Sequence, residues 1–235
     1  MSEESEEAVL GILKLESRFP RLPGDIANPE TWSFPVIIKE VKGADPRLVV
    51  EGRAKGLLEP FIAAARALEA EGAAGITTSC GFLSLFQREL AAAVSCPVAV
   101  SCLMQAPVIQ ATLPPGKRLG IITISARSLS PEHLAAAGVP PGTPVVGVEE
   151  GEELARVALG DLPDLDPQAA RRDVLDAGRR LLAGHPEVGA ILLECTNMGP
   201  YARDLAEQSG LPVYSVLTFL PWFQGSLRPP AWAPH

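Results

Sequence analysis

Aromatic residues are scarce in this chain, at 5% of 235 positions. That argues against an aromatic-rich β-sandwich and for helices packed closely on a sheet. Basic charge is in deficit: 20 Lys and Arg against 28 Asp and Glu leave a net charge of −8. No basic cluster stands out, so neither nucleic acid nor an acidic membrane surface is an expected partner. No apolar run reaches the roughly 20 residues of a membrane helix, so no membrane association is expected. The acidic start, MSEESEEAVLGIL, lacks the basic region of a secretory signal, which leads to a cytoplasmic expectation. No C-x-x-C pair occurs and the three His are scattered, so neither a zinc site nor a thioredoxin-like motif is expected. The four cysteines, Cys80, Cys96, Cys102 and Cys195, are expected as free thiols in a reducing compartment.

What is present is a core-sized hydrophobic fraction, 47%, arranged as short β-like runs alternating with Ala/Leu-rich helical stretches. Strands are expected at 8–15, 34–41, 75–79, 96–101, 118–125, 143–149, 188–195 and 211–217. Helices are expected at 57–72, 83–94, 131–138, 166–185 and 199–210. Strands separated by helices of this length imply parallel β-α-β units, hence an α/β fold. Residues 16–33, rich in Pro, Gly and Asp, form a long loop of the kind that is often functional. The tails, residues 1–6 and about 228–235, are expected to fray.

The second series repeats the first. At an offset of 115 residues Cys80 meets Cys195, Ile76 meets Ile191, Arg88-Glu89-Leu90-Ala91 meets Arg203-Asp204-Leu205-Ala206, and Pro97-Val98 meets Pro212-Val213. Leu10-Gly11-Ile12 resembles Leu119-Gly120-Ile121 at offset 109. The expected architecture is two pseudo-symmetric lobes, each a parallel sheet flanked by helices. The first lobe takes 8–104 with 215–230, the second 105–214. Each carries a thiol just past a strand's C-terminal end, where open parallel sheets bind ligands. A helix start there is expected to lower the thiol pKa.

Two opposed thiols can take a proton from one face of an acidic carbon and return one to the other, with no metal or other cofactor. The small polar groups at strand ends are candidate holders of a small carboxylate: Thr78, Ser79, Thr123, Ser125, Thr196 and Asn197. Some of these, with Thr77, are equally explained as turn formers. Cys96 and Cys102 read as packing. Arg88 and Arg203 read as exposed helix residues, and His133 and His185 as helix-end or solvated residues.

The motifs TTSCGF and LECTNM resemble those of the aspartate/glutamate/hydantoin racemase superfamily. The resemblance runs from Leu10 to about Leu217. It implies an interlobe active site and proton transfer by Cys80 and Cys195. Relatives are often dimers, so it also allows a homodimer. Amino-acid racemases typically follow the first Cys with Asn-Thr, whereas Gly81-Phe82 stand here; they lose an amide and a hydroxyl and add an aromatic face. CTNM also looks like the second motif of maleate cis-trans isomerases, which use a Cys nucleophile. Arylmalonate decarboxylases share the fold but use one thiol. In the long loop, Asp25 and Asn28 are candidate substrate contacts, with turn capping the simpler role for Asp25. The expected activity is a racemase or epimerase acting on a small carboxylate or amino-acid derivative. The alternatives are a one-cysteine isomerase or related lyase, and a non-catalytic two-lobed carboxylate binder.

Overall fold

The computed structural model describes residues 7–229. Its first sheet contains β1 (Leu10–Leu15), β2 (Val36–Val41), β3 (Gly75–Thr78) and β4 (Val98–Ala99), in the order β2-β1-β3-β4. The second contains β5 (Arg118–Thr123), β6 (Val145–Gly147), β7 (Val188–Leu193) and β8 (Val213–Tyr214), in the order β6-β5-β7-β8. Every strand pairing is parallel. Each half is therefore wound the same way.

The duplication extends to individual hydrogen bonds. Ile76 pairs with Val98 in the first sheet and Ile191 with Val213 in the second. Ile76 N–H donates to Pro97 O and Ile191 N–H to Pro212 O, both at 2.9 Å. Beyond the strands, Ser79 N–H reaches Leu13 O at 2.9 Å and Glu194 N–H reaches Ile122 O at 2.8 Å. Ser79 and Glu194 thus occupy corresponding places, each one residue before a thiol.

Central strands β3 and β7 are almost wholly buried, because helices cover parallel sheets on both faces. The helices are α1 (Pro46–Val50), α2 (Leu58–Ala70), α3 (Gln87–Ala93), α4 (Ala106–Thr112), α5 (Pro131–Ala136), α6 (Leu154–Gly160), α7 (Pro167–Gly184), α8 (Ala202–Ser209) and α9 (Val216–Leu227). The long α7 starts where Asp166 caps two backbone N–H groups and Pro167 presets the first turn. Close packing explains two glycines. A Cβ at Gly75 would collide with Leu227 of α9, and one at Gly120 with Leu181 of α7. No helix among the described residues is long and apolar enough to cross a membrane.

Several expectations need correction. The run 211–217 is a strand only at Val213–Tyr214, and Val216 opens α9. Ser215 turns the chain: its Oγ accepts from Leu217 N–H at 3.1 Å, and its own N–H donates to Thr218 Oγ1 at 3.0 Å. Helix α9 then returns to the first sheet, where Gln224 Nε2 donates to Ala8 O. Helices α1, α4 and α6 lie in stretches for which no helix was expected. The stretch 83–94 is a 3₁₀ segment, Gly81–Phe86, followed by α3. Likewise the start of 199–210 belongs to a 3₁₀ segment, Thr196–Tyr201, which precedes α8. Of the tails expected to fray, residues 1–6 and 230–235 lie outside the described residues.

Candidate active site

Cys80 follows β3 and Cys195 follows β7, each at the start of a 3₁₀ segment. The turns match: Leu83 N–H donates to Cys80 O at 3.1 Å and Met198 N–H to Cys195 O at 3.0 Å. Cys195 Sγ donates to Asn197 Oδ1 at 3.4 Å, and the backbone N–H groups of Phe82 and Asn197 favour the thiolates of Cys80 and Cys195 respectively. Both cysteines line one small cavity of ≈ 30 Å³ between the lobes. Its apolar walls include Phe19, Val50, Phe82 and Ile124.

The thiols are not acidified. Burial foremost, and then the Glu194 carboxylate, push the Cys80 thiol up to about 12; the Phe82 N–H and Arg21 pull only weakly the other way. Burial and Glu194 also raise the Cys195 thiol well above its usual value. This corrects the expected lowering at a helix start. Removing the sulfur from water outweighs one N–H donor and a short segment's dipole.

The expected substrate-holding groups divide into three. Ser79, Gly81, Phe82, Thr196 and Asn197 line the cavity beside the thiols. Their polar atoms largely serve the protein: Thr196 Oγ1 donates to Ser79 O at 2.8 Å, and Ser79 Oγ accepts from Leu15 N–H at 3.0 Å. Asn197 Nδ2 donates to Asp25 Oδ2 at 2.5 Å, while Asp25 also receives Arg21 Nη1 at 3.2 Å and Ala27 N–H at 2.8 Å. Asp25 is thereby held behind Asn197. Thr78 and Thr123 sit one step back. Thr78 Oγ1 donates to Val100 O at 2.7 Å, and Thr123 Oγ1 donates to Glu194 Oε2 at 2.7 Å.

Ser125 and Asn28 are placed elsewhere. Ser125 Oγ donates to Ser128 Oγ at 3.0 Å. Asn28 caps a 3₁₀ turn, accepting from Glu30 N–H at 2.9 Å, and its Nδ2 donates to Arg21 O at 2.9 Å. Its role is to hold the loop that carries Arg21. Outside the cavity, Cys102 Sγ donates to Leu193 O at 3.2 Å as a packed thiol, and His133 completes the capping box of α5.

Two functional candidates were absent from the sequence expectations. Glu194 is fully buried in the cavity wall, and burial raises its carboxyl to about 7 against the opposing hydrogen bond from Thr123. Arg21 lines the same cavity with a side chain only 10% exposed. Five buried side-chain polar atoms among the described residues lack a partner; two of them, Arg21 Nε and Glu194 Oε1, belong to this cavity's lining residues. The repeat held the signal for Glu194, because it sets a carboxylate opposite Ser79.

Two like-wound halves that meet at corresponding strand ends make this a pseudo-symmetric, two-lobed α/β fold of the racemase type. The chain belongs to the Asp/Glu/hydantoin racemase family, whose profile it matches over residues 47–220. Among solved structures it is similar to allantoin racemase from Klebsiella pneumoniae, with TM-score 0.66, 17% identity and coverage of 94% of this chain and 87% of that one. A liganded double mutant of arylmalonate decarboxylase gives TM-score 0.62 at 19% identity, covering 94% and 92% of the two chains. These likenesses show the fold. In sequence, the chain is 30% identical over 226 residues to a dimethylsulfoniopropionate lyase of Durusdinium sp. clade D, covering 93% of this chain and 74% of that protein. It is 29% identical over 219 residues to dimethylsulfoniopropionate lyase 3 of Emiliania huxleyi, covering 89% of this chain but 57% of that protein. The chain thus spans only about half to three-quarters of these lyases' lengths.

Proposed function

We propose that the chain is a cofactor-independent carbon-acid enzyme whose main reaction is β-elimination: it takes the α proton of a short carboxylate and expels a leaving group from the next carbon. The observation that carries this reading is the presence of Cys80 and Cys195 in the wall of one small, largely apolar cavity. The names of the curated relatives favour elimination over racemisation and suggest dimethylsulfoniopropionate as substrate.

With that substrate the electron count closes simply. A thiolate removes the Cα proton. The C–H pair becomes the new Cα=Cβ bond, and the Cβ–S bond breaks with its pair retained by sulfur. The products are dimethyl sulfide and acrylate, and the thiol ends protonated, as it began; the proton that it gave up to solvent in forming the thiolate is the one the reaction releases. Loss of the α proton is common to racemisation and elimination. A good leaving group on Cβ diverts the carbanion before it can be reprotonated on the opposite face.

Cys80 is the better base. The Arg21 charge favours its thiolate, whereas Asp25 and Cys80 both disfavour that of Cys195. Cys195 then acts as a neutral thiol on the opposite wall. Both thiols stay protonated at neutral pH, and a substrate cation arriving between them and Glu194 favours the thiolate. The cavity's ≈ 30 Å³ holds one or two waters, so a propionate-sized ligand enters as the walls part.

The test is incubation with dimethylsulfoniopropionate in heavy water, with headspace dimethyl sulfide and acrylate NMR as readouts. Elimination that depends more strongly on Cys80 than on Cys195 supports the lyase reading. Racemisation is the second reading, favoured by the matched thiol turns. It predicts α-deuterium exchange in a small chiral carboxylate, without elimination and with equal dependence on both cysteines.

A further inference from the structure

Two residues that line the cavity, Arg21 and Glu194, each carry one buried polar atom, of opposite character, that no protein group satisfies. Arg21 commits Nη1 to Asp25 at 3.2 Å and Nη2 to Ser17 Oγ at 2.9 Å, and its guanidinium carbon lies 4.0 Å from the centre of the Phe19 ring. These contacts fix the plane of the guanidinium and leave the Nε–H without an acceptor. Glu194 commits Oε2 to Thr123 and leaves Oε1 without a donor. That oxygen lies against Gly81, where any Cβ would overlap it; the missing side chain at 81 is what lets Oε1 stand in the wall beside Cys80. A buried donor and a buried acceptor left unpaired are each costly, and a ligand with complementary ends removes both penalties.

Resting on the reading of this cavity as the reaction site, we propose that it selects a zwitterion: the ligand's carboxylate accepts from Arg21 Nε–H, and its cationic head lies against Glu194 Oε1. The ligand class is a short carboxylate with an onium group on the β carbon. In this placement the α carbon lies between the two charged ends, within the thiol-lined section. Glu194 and Arg21 are specificity residues here, one for each end. The ionisable groups around Glu194 are Cys80 after β3, Cys102 after β4 and Cys195 after β7, all disfavoured as thiolates by its charge. From the N-terminal loop, Arg21 acts on Cys80 and Asp25 on Cys195. Glu194 holds a proton over much of the range below neutrality, and an arriving cation displaces it.

Calorimetric titration tests this with two probes of equal shape: 3-(trimethylammonio)propionate and its uncharged carbon analogue 4,4-dimethylpentanoate. At pH 6, in two buffers of different ionisation enthalpy, the unmodified protein is expected to bind the ammonium probe at least about tenfold more tightly and to release close to one proton. Glu194→Gln removes both the preference and the proton release while retaining the affinity for 4,4-dimethylpentanoate, and Arg21→Met weakens both probes. Equal affinity for the two probes, no proton release, or no binding by the unmodified protein overturns the proposal; these readouts need no variant to fold. Preference and proton release without any elimination would sink the lyase reading and leave this one standing. Elimination without preference would do the reverse.

Discussion

Thr196 Oγ1 donates a 2.8 Å hydrogen bond to the carbonyl oxygen of Ser79, tying the turn that carries Cys195 to the turn that carries Cys80. The bond crosses from one lobe to the other and is buried at both ends. It registers the two sulfurs on a common cavity using groups one residue from each.

Thr196→Val keeps the shape and removes this donor, leaving Ser79 O unsatisfied in the interior. The expected loss is roughly 1–3 kcal/mol of stability, read by urea denaturation. Turnover should fall further than in an equally destabilised variant remote from the cleft. A variant with unchanged turnover would show that the cross-lobe bond does not set the thiol geometry.

Gly81→Ala places a methyl group onto Glu194 Oε1. The side chain of Glu194 must move, and the bond from Thr123 is strained with it. Activity should fall by more than about tenfold, as expected for a displaced group in a reaction site. Combining Gly81→Ala with Glu194→Ala relieves the collision, so the double variant should be more stable than the sum of the single effects predicts. Additive effects in thermal denaturation would argue that the two residues do not collide.

Much of this fold was legible in the sequence because parallel strands buried on both faces read as short apolar runs. The 115-residue offset reappears as identical bonds, Ile76 to Pro97 and Ile191 to Pro212. Helix α9 was not legible: VLTFLPWFQGSL is apolar on nearly every face and carries Pro221 inside it, so it shows neither helical periodicity nor a clean helix interior. The paired thiols stood out through their spacing. The hydroxyl cluster was visible too, but composition does not say where a hydroxyl hydrogen points; Thr78 and Thr196 donate to carbonyls of neighbouring strand ends. Glu194 and Arg21 matter through one buried polar atom each that is left without a partner, and that property exists only once the chain is folded.

Glu194 makes a definite contribution to pH dependence. Its carboxyl is raised from 4.5 to about 7 in the folded chain, so between these values the folded state binds more protons than the unfolded one. Stability from this group is fully present below about 4.5 and is lost as pH rises through 7. The loss approaches roughly 3 kcal/mol across that window. Other carboxylates titrate as well, so the readout is the difference in unfolding free energy between the unmodified protein and Glu194→Gln at pH 5 and pH 8. The unmodified protein should lose stability relative to the variant on going to pH 8; a constant difference would contradict the raised carboxyl.

The four thiols should differ in reactivity. Cys80 and Cys96 are both half-buried, but the surroundings of Cys80, like those of Cys102 and Cys195, raise its thiol strongly, whereas Cys96 is raised less. Iodoacetamide at neutral pH, followed by peptide mass spectrometry, should label Cys96 first. Labelling of Cys80 before Cys96 would mean that the Cys80 thiolate forms without a substrate cation.

The central claim, that thiol proton transfer in the interlobe cavity drives the chemistry, is tested most directly by acrylate formation from dimethylsulfoniopropionate in the unmodified protein, Cys80→Ala and Cys195→Ala. The account predicts acrylate from the unmodified protein, a loss of about 10²–10⁴-fold on removing the base Cys80, and a smaller loss on removing Cys195. Full acrylate production by Cys80→Ala, or none by the unmodified protein, would contradict it.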